Sequence, residues 1–189
     1  MKKLLLLCFL AGSLTAFADD NLLQNGDFSS GLAEWEGDCH TAGSASDDSG
    51  ATTGVVVKMH SDWTKMTQDF ESKPGSYLLT ITYTVSQDFA PSQRPEDYQN
   101  VTGQLELSRL SPLNTTPGAW LIMISDIGAM HYNYWQITPS TTAGVQTIHT
   151  VVQVASDATK GFFLGFPPGT GTINIQNISL KPQTATAAN

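Results

Sequence analysis

The sequence predicts an all-β fold, an antiparallel β-sandwich, and three features support that prediction. Apolar and polar residues alternate with a period of two along several segments, as in strands with one buried face. Clusters of Gly, Pro, Asn, Asp and Ser separate these segments at short intervals, which is typical of turns between antiparallel strands. No segment has the apolar spacing of a helix of three or more turns, so crossover helices and a parallel sheet are not expected.

Ser76–Ser86 shows the alternation most clearly. Its two tyrosines, Tyr77 and Tyr83, share a face with Leu79, whereas threonines occupy the opposite face. By contrast, Ala119–Ile124 is apolar without alternation, as in a central strand covered on both sides. We expect ten or eleven strands in total. The main predicted strands are Thr52–Met59, Trp63–Phe70, Ser76–Ser86, Gly103–Leu110, Ala119–Ile124, His131–Ile137, Val145–Val154, Lys160–Phe166 and Thr172–Leu180.

Residues 1–18 are predicted to be a secretory signal peptide. Lys2 and Lys3 give a basic start, and Leu4–Leu10 gives a short apolar run. Ala16-Phe17-Ala18 then matches a small–x–small cleavage site. The alternative is an uncleaved membrane anchor, but the apolar run is too short to span a bilayer comfortably. We therefore expect a secreted or periplasmic protein with a leader that resembles those of bacteria.

One domain is predicted over residues 19–182, followed by a flexible tail of small and polar residues at 183–189. A chain of this length can bury enough apolar surface for one core. Removal of the leader leaves Cys39 as the one cysteine, so no intramolecular disulfide can form. We expect Cys39 to be a half-buried structural residue, because no basic neighbour in the sequence would lower its pKa.

The acidic charge balance argues against several classes of partner. The chain has 9 Lys and Arg against 17 Asp and Glu, and loss of Lys2 and Lys3 changes the net charge from −8 to −10. The remaining basic residues are scattered singly, unlike the clustered positive surfaces that neutralise phosphates. Nucleic acid, anionic membranes and acidic polysaccharides are therefore poor partners, whereas a neutral glycan suits this charge. We expect a monomer.

Four short motifs occur in order along the chain. The first, at Asn21–Phe28, breaks at Asn-Gly, a pair suited to tight turning, and Leu32 and Trp35 follow it with large apolar groups. The others are Trp63–Phe70 with its Gln68, Lys73–Leu79 with its Pro-Gly, and Ile173–Leu180. Together they resemble the secreted jelly-roll carbohydrate-binding modules of families four, nine and twenty-two, which have a galactose-binding-domain-like fold. This resemblance implies a jelly roll that binds a polysaccharide and catalyses nothing.

The resemblance also implies a structural calcium ion between the first turn and the last strand. Calcium prefers several hard oxygen ligands, carboxylates among them. Ser29 and Gln176 replace acidic residues of the modules, which leaves Asp27 and backbone carbonyls for a weak site. The alternative is that Asp27 caps its own turn. The four histidines lack ligand-like spacing, so we expect no zinc, and the motifs imply no other cofactor.

Sugar binding requires flat aromatic faces for pyranose rings and planar polar groups for hydroxyls. In the resembling modules the binding groove crosses a concave sheet. The candidate binding residues are Trp63, Gln104, Glu106, Tyr132, Tyr134 and Trp135. Core packing is the competing interpretation for each of these rings, and the sequence leaves both open. Apolar neighbours favour the core for four other rings, Trp35, Tyr77, Tyr83 and Trp120.

Two other functions are weighed against glycan binding. A structural or adhesive surface protein could keep the fold without a sugar groove. A small glycoside hydrolase or lyase would need two carboxyl groups, about 5–10 Å apart for a hydrolase, and Glu106 with Asp126 is the least implausible pair. No nucleophile elbow, metalloprotease helix or phosphate-binding loop occurs in the sequence. The sequence therefore favours a protein that is not an enzyme.

Overall fold

Two five-stranded antiparallel sheets pack against each other in the computed structural model, which describes residues 21–43, 53–107, 110–126 and 132–183. The strands are β1 (Glu36–Gly37), β2 (His40–Thr41), β3 (Val55–Lys58), β4 (Thr64–Phe70), β5 (Gly75–Val85), β6 (Ala90–Pro91), β7 (Trp120–Asp126), β8 (Tyr132–Ile137), β9 (Gln146–Val154), β10 (Lys160–Phe166), β11 (Gly169–Thr170) and β12 (Thr172–Pro182). A 3₁₀ turn (Pro95–Tyr98) and a one-turn helix α1 (Val101–Gln104) lie between β6 and β7.

The sheet orders are β1-β4-β10-β7-β8, called sheet A, and β2-β3-β12-β5-β9, called sheet B. A short ladder joins β6 to β11, and all described pairs are antiparallel. The predicted antiparallel sandwich and jelly roll are therefore confirmed. None of the helices in the described part of the chain has the length and apolar content needed to cross a bilayer.

The main core lies between the sheets and is built from the inward faces of their alternating strands. Trp120 is fully buried there, with its ring centroid 4.9 Å from that of Tyr83 and 5.1 Å from that of Phe166. Burial of each such side chain contributes roughly 1.5–3 kcal/mol. The rings predicted to be core residues are all buried: Trp35, Tyr77, Tyr83 and Trp120.

The first motif closes one end of this core. Asn25 adopts φ 47°, as expected of an Asn-Gly turn. Trp35 then packs between Phe28 and Phe162, at centroid distances of 5.5 and 6.0 Å. Gln68 is buried, and hydrogen bonds satisfy its polar atoms. Its side chain accepts from the amide N–H of Gln24 at 2.7 Å and donates to the Gln24 carbonyl at 2.8 Å. The motif glutamine therefore stabilises the opening loop.

The prediction of a strand at Gly103–Leu110 is wrong. Gly103 and Gln104 belong to α1 and residues 105–107 continue it as a turn, because the Asn100 side chain caps the helix by accepting from the Gly103 N–H. Leu105 and Leu107 pack into a second apolar cluster, but from a helical turn and not from a strand. Every other predicted strand has a counterpart with similar bounds. The predicted leader, the ends of two predicted strands (Thr52 and His131) and residues 184–189 lie outside the described residues.

Candidate functional site

The outer face of sheet A presents three rows of side chains that run across the strands. Strand alternation and register bring these residues into line from β4 through β10 and β7 to β8. The first row is Asp69, Gly161, Ser125 and Tyr132, the second is Thr67, Phe163, Met123 and Tyr134, and the third is Lys65, Gly165, Leu121 and Gln136.

Residues 92–107 and 110–118, called the cover segment, lie over part of this face. Their apolar side chains form a second core with Leu121, Met123 and Phe163. Leu105 packs over the third row, where its Cδ1 would lie 3.4 Å from a Cβ built on Gly165. The first row and Tyr134 lie outside this second core, except that Tyr132 packs against its edge. The cover segment therefore divides the outer face into a filled part and an open part.

Trp63 and Gln104 belong to the filled part. Trp63 is only 5% exposed, and its Nε1 donates to the Asp97 carbonyl at 2.7 Å. The Gln104 amide donates to the carbonyls of Asp97 at 3.2 Å and Gln99 at 2.8 Å. The structure therefore corrects the expectation that Trp63 offers an exposed ring and that Gln104 faces outward from a strand. Both side chains hold the cover segment in place.

Tyr132 and Tyr134 form an aromatic pair on the open part. Their ring centroids are 6.3 Å apart with an interplanar angle of 34°, and Tyr134 is 44% exposed. Trp135 directly follows Tyr134 in β8 and points to the opposite face, where it packs against the main core. Its ring is therefore not part of the surface that the two tyrosines form.

Gly161 leaves a shallow gap in the first row, where Ser125 separates it from Tyr132. A Cβ built there would lie 3.3 Å from Ser125 Oγ and 3.8 Å from Asp69 Oδ1. Any side chain would fill this gap. A hydroxyl and a carboxylate thus flank a stretch of accessible backbone, which is the kind of polar environment that sugar hydroxyls bind.

A surface cavity of about 370 Å³ extends the first row to β1. It is lined by Glu34, Trp35, Glu36, Thr67, Gln68 and Asp69. Since strands are spaced about 4.8 Å apart, the five strands of sheet A span ~19 Å between their axes. We call this surface the open strip, and its residues are Glu34, Glu36, Thr67, Asp69, Gly161, Ser125, Tyr132 and Tyr134.

A second cavity, of about 310 Å³, lies beside Asp126, Ser156 and Lys160. Lys160 is 1% exposed, and its Nζ lies 2.9 Å from the Asp126 carboxylate. The ammonium also donates to Ser156 Oγ at 2.8 Å and to the Ala158 carbonyl at 2.5 Å, which gives a partner for each of its three hydrogens. Ser156 Oγ donates to Asp126 at 2.7 Å. This saturated network stabilises the fold and offers no free ammonium hydrogen to a ligand.

The predicted carboxylate pair is not brought together. Asp126 ends β7 on the inner side of sheet A, as its ion pair and its alternation with Ile124 require. Glu106 is exposed at φ 58° beside Leu105, which packs on the outer side of the sheet near the start of β7. Asp126 and the start of β7, where Leu105 packs, are about 17 Å apart along the strand. The two carboxyl groups therefore lie on opposite faces and cannot flank one glycosidic bond.

Asp27 lies in the exposed first turn and caps it. Its carboxylate accepts from Ser29 N at 3.1 Å and from Ser29 Oγ at 2.9 Å. The hydrogen bond from the Ser29 backbone, followed by that from its side chain, lowers the pKa of Asp27. Among the described residues, no three His, Cys, Asp or Glu side chains are placed to hold a metal ion together. The turn-capping alternative therefore accounts for this carboxylate.

Cys39 is half-buried against the main core, as expected. Burial, followed by the charge of Asp38, raises the pKa of the thiol from 9.0 to about 11. We therefore expect slow alkylation by iodoacetamide up to pH 9 and faster alkylation toward pH 11, because only the thiolate reacts. Mass spectrometry of timed aliquots measures this, and the unfolded protein is the control. Rapid alkylation of the folded protein at pH 8 would contradict a buried thiol.

The sequence did not identify the cover segment, Asp69 or Ser125. Apolar residues at Val101, Leu105 and Leu113 within a polar stretch are the available signal that this loop packs on something. The surface on which these residues pack depends on sheet register, and so does the alignment of Asp69 with Ser125. Periodicity alone does not define that register.

Comparison with solved structures supports the architecture. Matches include the CBM22-1–GH10 modules of Clostridium thermocellum endo-1,4-β-D-xylanase 10B complexed with xylohexaose (TM-score 0.51, 12% identity, 87% of this chain and 29% of that one). An arabinose-bound GH51 α-L-arabinofuranosidase matches at 0.52 with 18% identity, over 87% of this chain and 27% of that one. The enzymatically active domain of bacteriophage CBA120 tailspike protein 4 matches at 0.53 with 14% identity, over 86% and 21%.

The present chain thus spans less than a third of each of these three matched chains. No protein-family description and no curated protein matches the sequence. Likeness at these identities shows the fold. The chain has the jelly-roll β-sandwich fold found among carbohydrate-binding modules, and the resemblance inferred from its motifs is confirmed at that level.

Proposed function

We propose that this protein binds a neutral polysaccharide or oligosaccharide along the open strip. The observation that carries the proposal is the tyrosine pair, because its rings can stack on a pyranose while the hydroxyl and carboxylate groups farther along the strip bind sugar hydroxyls. Four large hydrophobic side chains are exposed among the described residues, and Tyr134 is the one aromatic ring among them. The strip is long enough for a few linked sugars.

The charge of the strip supports a neutral ligand. Glu34, Glu36 and Asp69 line the end of the strip at β1 and β4. The one lysine in the three rows, Lys65, donates to the Leu105 carbonyl at 3.3 Å beneath the cover segment. Uronate groups would meet like charge along this end, which disfavours acidic polymers.

We also propose that binding occurs without cleavage and outside the cytoplasm. The positions of Glu106 and Asp126 on opposite faces support a non-catalytic role. The leader-like residues 1–18 support export. Incubation with xylan, mannan and β-glucan tests for cleavage, since release of reducing ends from any of them would contradict a pure binding role.

Replacement of Tyr134 by Ala is expected to weaken glycan binding about tenfold, or ~1.4 kcal/mol, through loss of one stacking contact. Affinity electrophoresis against β-glucan, xylan, mannan and galactan identifies the ligand, and calorimetry with an oligosaccharide of that ligand measures the change. The expected thermal stability is close to that of the parent protein, because the ring is exposed.

Two further variants serve as controls for Tyr134→Ala. Val151→Ala, at an exposed site on the outer face of sheet B, should leave binding unchanged. Trp135→Ala should lower stability, because its ring packs against the main core. Unretarded migration of the parent protein on every gel would contradict the proposal and favour the structural or adhesive role.

A further inference from the structure

The first turn and the last strand meet directly, at the place where the resembling modules hold calcium. Ile178 N donates to the Gly26 carbonyl at 2.8 Å. A Cβ built on Gly26 would lie only 2.0 Å from the Ile178 carbonyl oxygen. Calcium needs six to eight oxygens at about 2.3–2.6 Å, and this contact leaves no space for an ion between the two backbones. Ser29 and Gln176 are neutral, and no three acidic, His or Cys side chains of the described residues come together to hold a metal ion. The residues present do not fit the implied site.

Asn25 supplies hydrogen-bond donors to two carbonyl oxygens of the opening loop. Its Nδ2 donates to the carbonyls of Gly31 and Ala33, each at 2.9 Å. Its Oδ1 accepts from Ser30 N at 3.0 Å. One neutral side chain therefore binds three backbone groups of the loop that places Trp35 in the core.

Asn21 connects the start of the domain to the last strand. Its Oδ1 accepts from Leu180 N at 2.7 Å, and its Nδ2 donates to the Ile178 carbonyl at 3.3 Å. The backbone repeats this connection, because Leu22 N donates to the Leu180 carbonyl at 2.9 Å. The two segments that calcium would bridge are thus already joined by hydrogen bonds.

We infer that the side-chain amides of Asn21 and Asn25 replace the structural calcium of the resembling modules, so that the opening loop folds without a divalent cation. This inference does not depend on the proposed function. It depends on the side chain of residue 25 being a hydrogen-bond donor. An aspartate at this position would therefore be incompatible with the loop. Its second oxygen would face the Gly31 and Ala33 carbonyls in place of an NH₂ group.

Thermal unfolding of the metal-stripped protein in EDTA and in millimolar CaCl₂ tests the inference. We expect the same Tm in both buffers for the parent protein. In EDTA, Asn25→Asp should lower Tm by about 5–10 °C, whereas Asp27→Asn, a matched change of charge in the exposed turn, should lower it by much less. A parent Tm that falls in EDTA, or an Asn25→Asp Tm equal to the parent value, would overturn the inference.

A second measurement does not need the variants to fold. Elemental analysis of the parent protein, dialysed against trace calcium, should find less than about one tenth of a calcium ion per chain, as expected for weak exposed carboxylates. One tightly held calcium ion per chain would contradict the replacement by amides.

Discussion

Replacement of Asp126 by Ala is expected to lower the free energy of unfolding by about 3–5 kcal/mol. The change removes the carboxylate that lies 2.9 Å from the ammonium of Lys160, whose side chain is 2% exposed. Ser156 Oγ and the Ala158 carbonyl would remain as neutral partners, but they cannot compensate a buried positive charge. Urea denaturation followed by tryptophan fluorescence measures the loss.

The double change Asp126→Ala, Lys160→Met is the informative control. Met keeps most of the lysine volume and removes the charge, so this variant should recover much of the lost stability. A double-mutant cycle with Lys160→Met then gives the coupling between the two residues. Additive effects of the two single changes would mean that the ion pair contributes little.

Replacement of Trp63 by Ala is expected to cost about 3–5 kcal/mol and to release the cover segment. Trp63 packs edge-on against Tyr98, with ring centroids 5.9 Å apart, and its Nε1 donates to the Asp97 carbonyl. Loss of the ring leaves a cavity between β4 and the cover segment. Hydrogen exchange and limited proteolysis should locate the increased mobility within residues 92–118.

Trp63→Phe separates the ring from its hydrogen bond. It keeps an aromatic group against Tyr98 and loses the Nε1 donor, so the expected cost is only about 1–2 kcal/mol. Stability equal to the parent protein in Trp63→Ala would contradict a packed second core, and protease cleavage elsewhere would contradict the assignment of Trp63 to the cover segment.

The strands of the sandwich were predictable because their pattern is local. In β5, alternation alone separates the inward tyrosines from the outward threonines, and the Pro-Gly turn defines where the strand begins. Residues 103–110 also alternate in polarity, yet residues 103–107 belong to a helical turn and its continuation. Asn100 caps that turn, and a capping side chain can stabilise a helical turn in a segment whose short alternating pattern predicts a strand.

The candidate site was only partly predictable, for a different reason. The exposed Tyr134 follows from a segment too aromatic and too polar for ordinary packing. That Trp63 is covered depends on a contact with Tyr98, 35 positions later in the sequence. The alignment of Asp69, Gly161 and Ser125 similarly depends on strands far apart in the chain. Such long-range pairings are fixed by the whole fold and leave little trace in any one segment.

The cover segment is a single excursion of the chain between β6, which lies outside sheet A, and β7, which belongs to it. The width of the exposed surface is therefore governed by one loop, independently of the strands beneath it. A shorter excursion would uncover Phe163 and Met123 and broaden the platform, whereas a longer one would turn it into a slot. Variation confined to this loop would change the width of this surface while the scaffold stays constant.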